Sequence, residues 1–285
     1  MDPKVFQSIR RIVHERSGIN IKENRASMVS ARIATRLRNL ELDSESDYLA
    51  YLQSNTQEVT QLLDVISTNV TRFFREQPHY DFAHELISER IRSGVRRLRV
   101  WSAASSTGQE PYSLCMTAAE AIKQAGGACD FRLLATDIST RVLERARAGR
   151  YSSEELQSVP DPLRARYFQA VDEGGDTAYQ VVPRLREMAV FHRMNLDAPP
   201  FPMKGPLDLI FCCNVMIYFD SDTKRRLLEA MHRLLKPDGV LVVSHTESLI
   251  GVPDLFKMFK PSIYAKAPEP AEHAVPATPG AGGSD

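Results

Sequence analysis

The chain has 285 residues, of which 43% are apolar, and this is enough to build one large domain or two modest ones around a real core. Its 36 lysine and arginine residues balance 36 aspartate and glutamate residues, so the overall charge favours neither nucleic acid nor an anionic membrane as a partner. The sequence has no apolar run long enough to cross a membrane and begins without a secretory signal, which predicts a cytoplasmic protein.

The cysteine residues argue against a metal centre or a disulfide framework. They are Cys115, Cys129, Cys212 and Cys213, and no two of them form a CxxC pair. Adjacent cysteines cannot easily ligate one metal ion. We therefore expect buried thiols and no zinc site.

Residues 4–66 show the apolar spacing of three and four that is typical of amphipathic helices, which predicts a small helical domain with a helix start at Ser44. Arg25, Arg32 and Arg36 are separated by seven and four residues, so they share one helix face. Two interpretations of this basic stripe stay open. It is either a solvated face or a surface that docks an acidic helix or a nucleic-acid backbone.

The next segment, residues 67–82, is a connection between domains. It places Thr and Asn ahead of a Phe pair and an arginine, and a new helix begins near Pro78. We interpret it as a packed linker, in which Phe73 and Phe74 fill the domain interface and Arg75 pairs with a carboxylate.

The stretch from Leu98 to Glu110 predicts the first strand and helix of a nucleotide-type α/β fold. An apolar run passes through small residues into a loop with Gly108, and a helix-like segment starts at Glu110. Small residues let a ligand approach the backbone, and a helix N-terminus accepts negative charge. The loop has neither the lysine of a P-loop nor a GxGxxG pattern, so a smaller adenosine ligand is expected.

Two further strands end in polar residues that suit a ligand crevice. One ends in Asp137, where nucleotide-type folds place an acid on ribose hydroxyls, although helix capping by Asp137 or Ser139 is an open alternative. The other ends in Asn214. Because the carboxyl ends of parallel strands meet at one edge of a sheet, the loop at 103–108 and these two side chains predict a crevice there.

Alternating strands and helices predict a mostly parallel sheet covered on both faces. A Gly-Gly turn and strand-like runs predict a hairpin between about Ala178 and His192, with Pro183 at an edge or turn. A last apolar run at 261–267 closes the sheet. Beyond Pro268 the sequence has too few apolar residues to order itself, so a disordered tail is expected.

Five motifs, in chain order, closely resemble the CheR family of S-adenosylmethionine-dependent protein-glutamate O-methyltransferases: NVTRFFRE, WSAASSTGQEPYS, ATDIS, CCNVMIYF and LLKPDG. The resemblance extends to about residue 266. It implies an α/β fold with a Rossmann-like class I methyltransferase domain at 76–267 and a β-hairpin insertion at about 170–192. It also implies a small all-helical N-terminal domain with its linker at 1–75, and it leaves 268–285 as the disordered tail.

The family resemblance implies a reaction and a partner. The protein would transfer a methyl group from S-adenosylmethionine to glutamate side chains in the cytoplasmic helical region of methyl-accepting chemotaxis receptors, leaving S-adenosylhomocysteine. It would act as a monomer, with no metal, no nucleic acid and no membrane insertion. A glutamate carboxylate is already ionised at neutral pH, so no general base is required. A Glu-rich receptor helix favours docking on Arg25, Arg32 and Arg36.

The resemblance also implies the residues of the site. The cofactor-binding set is Asn69, Thr71, Arg75, Ala103, Glu110, Asp137, Asn195, Leu196, Cys213 and Asn214. Within it, Glu110 would bind the amino-acid part of the cofactor, Asp137 the ribose, and Asn195 with Leu196 the adenine. Arg75 and Tyr218 would be catalytic: Arg75 would hold the incoming carboxylate through one oxygen, and Tyr218 would direct an oxygen toward the methyl group.

The sequence departs from the family pattern at two positions. Cys213 stands where the family usually has arginine, and Gln109 replaces the first residue of an acidic pair whose second member is Glu110. The first change supports a second hypothesis, a catalytically weak relative that senses S-adenosylmethionine or S-adenosylhomocysteine and regulates partners. A nucleic-acid methyltransferase would need a motif such as NPPY, whereas Val-Met-Ile-Tyr follows Asn214.

Overall fold

Helices occupy the N-terminal part of the chain. The computed structural model describes residues 1–66, 70–173, 176–249 and 255–268. In the first of these ranges the α-helices are α1 (Pro3–Ser17), α2 (Ala26–Leu40), α3 (Glu45–Ser54) and α4 (Thr56–Ile66). The predicted helical N-terminal domain is confirmed.

Local sequence sets the ends of these helices. The Asp2 carboxylate caps α1 by accepting a hydrogen bond from Lys4 N at 2.7 Å, and Gly18 ends that helix at φ 70°. Ser44 Oγ accepts from Asp47 N at 3.1 Å, which confirms the predicted helix start. The apolar faces meet in a core whose fully buried members include Ile9, Val13, Val29, Ile33 and Leu62.

An alternation of strands and helices follows. The helices are α5 (Gln77–Arg92), α6 (Gln109–Gln124), α7 (Thr140–Ala148), α8 (Asp161–Tyr167), α9 (Pro183–Arg186) and α10 (Ser221–Leu234). The strands are β1 (Arg97–Ala103), β2 (Asp130–Asp137), β3 (Arg150–Ser152), β4 (Phe168–Glu173), β5 (Asp176–Val181), β6 (Ala189–Arg193), β7 (Leu207–Cys212), β8 (Leu235–Val243), β9 (Phe256–Lys260) and β10 (Ile263–Lys266).

The main sheet has seven strands in the order β6-β2-β1-β7-β8-β10-β9. The first five run parallel, and β10 is antiparallel to both of its neighbours. In the register, Trp101 of β1 lies between Leu134 of β2 and Ile210 of β7. The predicted mostly parallel sheet is confirmed, and β10 is the predicted closing run; the edge strand β9 was not predicted.

Alternate residues of each central strand enter two separate cores, as the period of two in a strand requires. Val100 of β1 packs with residues of α5 and α6 such as Ile87 and Leu114. Trp101, its neighbour, packs on the other face with α10 residues such as Met231. Helices therefore cover both faces, and the carboxyl ends of the parallel strands stay open along one edge.

The hairpin prediction is wrong in its residues. β5 pairs antiparallel with β4, and β3 adds a third strand on the other side of β5. The Gly-Gly pair at 174–175, between β4 and β5 in the sequence, lies outside the described residues. Pro183 does not mark an edge but opens α9, where its missing N–H costs nothing. The run at 189–193 joins the main sheet as β6, parallel to β2.

The helical domain packs against the open edge of the main sheet through polar contacts. His14 Nε2 lies 2.9 Å from Asp220 Oδ2, and Asn20 N donates to the Tyr218 carbonyl at 2.8 Å. From α4, the Asp64 carboxylate accepts from Thr140 N at 3.0 Å, at the start of α7. Among the residues described, none of the helices is both long enough and apolar enough to span a membrane.

Candidate functional site

A cleft of about 230 Å³ lies where the helical domain faces the carboxyl ends of the strands. Its walls come from both parts of the chain. The sheet side contributes Ala104, Ser106, Glu110, Asp137, Met194, Asn195, Leu196, Cys213, Asn214 and Tyr218. The helical side contributes Ile19, Asn20, Lys22, Arg25 and Met28, and the connection between the two contributes Val70, Thr71, Arg72 and Arg75.

Most of the residues expected at a cofactor site line this one cleft. Ala103 does not: it is fully buried in the core below, and Ala104, held at φ 82°, takes its place on the surface. Asn69 lies outside the described residues. The remaining members, from Thr71 to Asn214, all contribute to the lining.

The turn after β1 is folded tightly against the end of β2. Ala104 N and Ser105 N both donate to the Thr136 carbonyl at 2.8 Å. Gly108 caps α6 at φ 99°, and a Cβ there would lie 2.7 Å from the Tyr151 hydroxyl, so only glycine fits. Two of the small residues noted in the sequence, Ala104 and Ser106, thus line the cleft.

Glu110, in the first turn of α6, is a carboxyl group with a perturbed pKa in the cleft. Its Oε1 accepts a hydrogen bond from Ser102 Oγ at 2.7 Å. Burial raises the pKa of Glu110 to about 7; the Ser102 hydrogen bond opposes this shift, and the charges of Glu247 and Glu76 add to it. A ligand cation placed beside Glu110 would compensate its charge, as the amino group of an amino acid does.

Asp137 holds two loops while it lines the cleft. Its Oδ2 accepts from Ser106 N at 2.9 Å and its Oδ1 from Ser139 N at 3.0 Å. Burial raises the pKa of Asp137, and these backbone donors work against the shift. Ser139, not Asp137, caps α7, since its Oγ accepts from Val142 N. The sequence left open whether Asp137 binds a ligand or whether Asp137 or Ser139 caps the helix. The structure shows that Ser139 is the capping residue.

Asn214 is held at the end of β7 by a residue that the sequence analysis missed. It adopts φ 59°, and its backbone N donates to Glu247 Oε2 at 2.9 Å. The same buried carboxylate accepts from Ser244 N at 3.1 Å and Ile217 N at 3.3 Å. Glu247 therefore fixes the loop that carries Asn214 and Tyr218. The available signal was an acid just beyond the buried strand β8.

Tyr218 receives support from the helical domain. The Arg25 guanidinium lies over its ring, 5.4 Å from the centroid, and the Tyr218 carbonyl accepts from Asn20 N. Arg75 Nη1 donates to the Val70 carbonyl at 2.9 Å. Within the described ranges Arg75 forms no ion pair with a carboxylate, although its charge opposes the raised pKa of Glu110. Both side chains line the cleft.

The Phe pair of the connection packs away from the domain interface predicted for it. Phe73 is fully buried, with ring centroids 4.9 Å from Tyr151 and 5.5 Å from Phe168. Phe74 N donates to Ser113 Oγ at 3.0 Å, and its ring packs on Tyr80. The pair therefore anchors the connection in the core of the α/β part.

The basic stripe of the sequence is not a continuous free surface. Arg36 makes two hydrogen bonds to the buried Glu58 carboxylate, at 2.9 and 2.6 Å, and Tyr48 donates to the same carboxylate at 2.9 Å. Arg32 donates to the Val65 carbonyl. The Arg36 guanidinium is committed to neutralising a buried charge. Its docking role stays a prediction.

The strand order, and the cleft at the carboxyl ends of the strands with Asp137 at the end of β2, are those of the Rossmann-like class I methyltransferase fold. Comparison with known families agrees. Residues 69–265 match the family described as "CheR methyltransferase, SAM binding domain", and residues 4–67 match "CheR methyltransferase, all-alpha domain". The chain belongs to the CheR methyltransferase family.

Curated relatives are similar along nearly their whole length. The chain is 37% identical over 264 residues to "Chemotaxis protein methyltransferase 2" of Pseudomonas aeruginosa, covering 92% of each chain. It is 37% identical to "Chemotaxis protein methyltransferase" of Escherichia coli, covering 91% of this chain and 90% of that protein. The protein of that name from Borreliella burgdorferi is 33% identical, with 90% of this chain and 92% of that one covered.

Proposed function

We propose that this protein transfers the methyl group of S-adenosylmethionine to glutamate side chains of methyl-accepting chemotaxis receptors. The observation that carries the proposal is the separation of charge in the cleft. Four cationic side chains, Lys22, Arg25, Arg72 and Arg75, are exposed or half-buried and line the side of the cleft formed by the helical domain and the connection, which we call the basic rim. The half-buried Glu110 and the buried Asp137 line the sheet side. The acidic sheet side suits a cofactor with a sulfonium and an ammonium group, and the basic rim suits an acceptor that arrives as a carboxylate.

In this proposal, different residues of the cleft bind different parts of the cofactor. Glu110 binds the ammonium group, and Asp137 uses its remaining lone pairs for the ribose hydroxyls. Asn195 and Leu196 flank the adenine; Asn195 is held by hydrogen bonds from its Nδ2 to the Arg16 carbonyl and from Asp197 N to its Oδ1. Thr71 and Asn214 close the remaining sides, and Asn69 belongs to the same set.

When bound, S-adenosylmethionine supplies an electrophilic methyl group: a glutamate oxygen bonds to the methyl carbon, and the electron pair of the broken carbon–sulfur bond stays on sulfur. No proton moves, so the chain needs no general base at this point. Arg75 and Tyr218 hold the acceptor carboxylate in line, Arg75 through one oxygen, so that the attacking oxygen keeps its nucleophilicity. The rate comes from positioning and from exclusion of water, which together supply roughly 7–11 kcal/mol in well-oriented systems.

Receptor docking follows from the same rim. Methyl-accepting helices rich in glutamate meet a surface made by Lys22, Arg25 and Arg72, beside the acceptor site. Charge complementarity of this kind steers association and sets the register of the helix more than it adds affinity. The helical domain thus contributes to both the acceptor site and the docking surface.

The contacts of Cys213 do not support the alternative that the protein is a catalytically weak sensor. Cys213 lines the cleft with its Sγ 3.8 Å from the Val242 carbonyl, and burial raises the pKa of its thiol well above the usual value. A neutral thiol there leaves Arg75 and Tyr218 in place. Nothing in the described contacts disables transfer.

Transfer of a radioactive methyl group from S-adenosylmethionine to membranes that contain the cell's receptors tests the proposal. We expect labelled receptor whose label is released as methanol by mild alkali, because methyl esters are hydrolysed while methylated amines are not. Arg75→Ala should strongly reduce labelling and leave cofactor binding partly intact in calorimetry. Cofactor binding without any transfer by the wild type would favour the sensor alternative instead.

A further inference from the structure

Two histidines and a glutamate meet at the edge of the cleft, where the start of α5 faces the loop after β8. They are Glu76, His79 and His245, and one potential ligand atom from each lies within 4.8 Å of the other two. Glu76 Oε2 is 3.4 Å from His79 Nδ1 and 3.9 Å from His245 Nε2. The mechanism proposed above uses none of these groups.

The surrounding hydrogen bonds orient the cluster inward. The second ring nitrogen of His245, Nδ1, lies 3.0 Å from Ser262 Oγ, which leaves Nε2 directed at Glu76. Ser244 Oγ donates to Glu76 Oε1 at 2.6 Å, and His245 N donates to Oε2 at 3.0 Å. Metal-binding histidines are held in this way, with one nitrogen fixed by an outer partner and the other presented to the ion.

His79 is the least satisfied member of the cluster. It is 1% exposed, and its Nε2 has no hydrogen-bond partner among the described residues. Its Nδ1 approaches Glu76 at a distance longer than a normal N–H···O bond. A neutral imidazole carries one free nitrogen lone pair, so His79 can present Nδ1 to an ion while Nε2 keeps the proton.

We propose that Glu76, His79 and His245 form a binding site for a divalent transition metal ion, with zinc as the best match. Two imidazoles and one carboxylate are a common zinc ligand set, whereas calcium and magnesium prefer oxygen donors. Tetrahedral zinc with bonds of about 2.0–2.2 Å places ligand atoms about 3.4 Å apart. The Glu76–His79 pair already has this spacing. His245 supplies the third ligand, and because 46% of its side chain is exposed, an ion can reach the site from solvent.

The cysteine spacing predicts no zinc site. The ligands found instead are an E-x-x-H pair and a histidine 166 positions from His79, a combination that only the fold brings together. The proposal does not depend on the substrate of the enzyme. It requires only that the three side chains are where the structure has them.

The test is metal binding by the full-length, untagged chain. After treatment with a chelator, zinc is titrated in competition with a chromophoric chelator, and cobalt is titrated with its visible absorption as the readout. We expect one ion per chain and a cobalt spectrum of nitrogen and oxygen ligands. His79→Gln and His245→Gln should each weaken zinc binding at least tenfold, as expected for loss of a ligand.

The matched control is His192→Gln, an exposed histidine on β6 at the opposite edge of the sheet, which should bind zinc like the wild type. Thermal unfolding without metal checks that each variant folds. If the buried His79→Gln variant does not fold, the exposed His245→Gln variant decides. Zinc binding unaffected by His245→Gln, no stoichiometric binding at all, or an intense thiolate-to-cobalt band that assigns the ion to a cysteine would each overturn the proposal.

Discussion

The Arg25 guanidinium lies 5.4 Å from the centre of the Tyr218 ring, so a residue of the helical domain supports a residue of the methyltransferase site. The contact spans the cleft from one wall to the other. It means that the helical domain helps to shape the site as well as to present a surface.

Arg25→Ala should lower the rate of receptor methylation by roughly twofold to thirtyfold, because a cation–π contact is worth about 0.5–1 kcal/mol when exposed and about 2 kcal/mol when desolvated. Arg25→Lys should recover part of the loss. Steady-state kinetics at several salt concentrations provide the measurement. Arg11→Ala, an exposed arginine of α1 outside the cleft, should behave like the wild type. If both variants lose the same activity, Arg25 has no particular role at Tyr218.

Affinity for S-adenosylmethionine should depend on the ionisation of Glu110. Since the pKa of Glu110 is raised to about 7 in the folded protein, and a cationic cofactor requires the ionised form, the affinity should fall up to tenfold for each pH unit below about 7. Calorimetry between about pH 6 and about pH 8 measures this. Glu110→Gln should bind weakly with a flat pH profile, whereas Glu89→Gln, an exposed glutamate of α5, should keep the wild-type profile. A steep profile in Glu110→Gln would assign the titration to another group.

The same pKa has the opposite consequence for stability without cofactor. The folded protein holds the Glu110 proton up to about pH 7, while the unfolded chain releases it near pH 4.3, so this group's contribution to stability falls as the pH rises between these values. Glu110→Gln removes that cost. Its melting temperature should exceed the wild-type value at about pH 8 and approach it at low pH. An equal difference at every pH would contradict the assignment.

Arg36→Ala should destabilise the helical domain by about 3–5 kcal/mol, because it leaves the buried Glu58 carboxylate without a counter-charge. Denaturant unfolding gives the free energy directly. Arg38→Ala is the matched control on the same helix, and its exposed side chain should change stability by less than about 0.5 kcal/mol. Unchanged stability of Arg36→Ala together with weaker receptor binding would contradict this structural role and favour docking by Arg36.

Glu247→Gln should loosen the loop that holds Asn214 and Tyr218. An amide offers one acceptor oxygen where the carboxylate offers two, so at least one backbone N–H of this loop loses its partner, at a cost of about 1–3 kcal/mol. Both the melting temperature and the methylation rate should fall. Glu229→Gln on α10, outside the cleft, should change neither. Normal methylation by a destabilised Glu247→Gln protein would separate the loop from catalysis.

The cleft was predictable because it follows from topology. Strands that run parallel bring their carboxyl ends to one edge, so the apolar runs before Asp137 and Asn214 were enough to expect the two side chains in one crevice. The turn before α6 was also predictable from its glycine. Gly108 adopts positive φ there, beside Tyr151.

Contacts between residues that are distant in the chain could not be predicted from the sequence. Periodicity placed Arg36 on a helix face with Arg32, yet it could not show that Glu58, 22 residues away, would be buried opposite it. Glu247 and His245 enter the site only because β8 lies next to β7 in the sheet. The hairpin error has the same origin. A strand-like run does not indicate which other strand it pairs with, and residues 189–193 pair with β2 of the main sheet.

Mass spectrometry of receptor peptides after reaction with this protein and S-adenosylmethionine tests the central claim most directly. The account predicts that glutamate residues of the receptor's cytoplasmic helices each gain the mass of a methyl ester, that mild alkali removes it, and that Arg75→Ala protein modifies the same peptides far less. Methylation confined to lysine, arginine or nucleic acid, or label on glutamate that Arg75→Ala does not reduce, would contradict it.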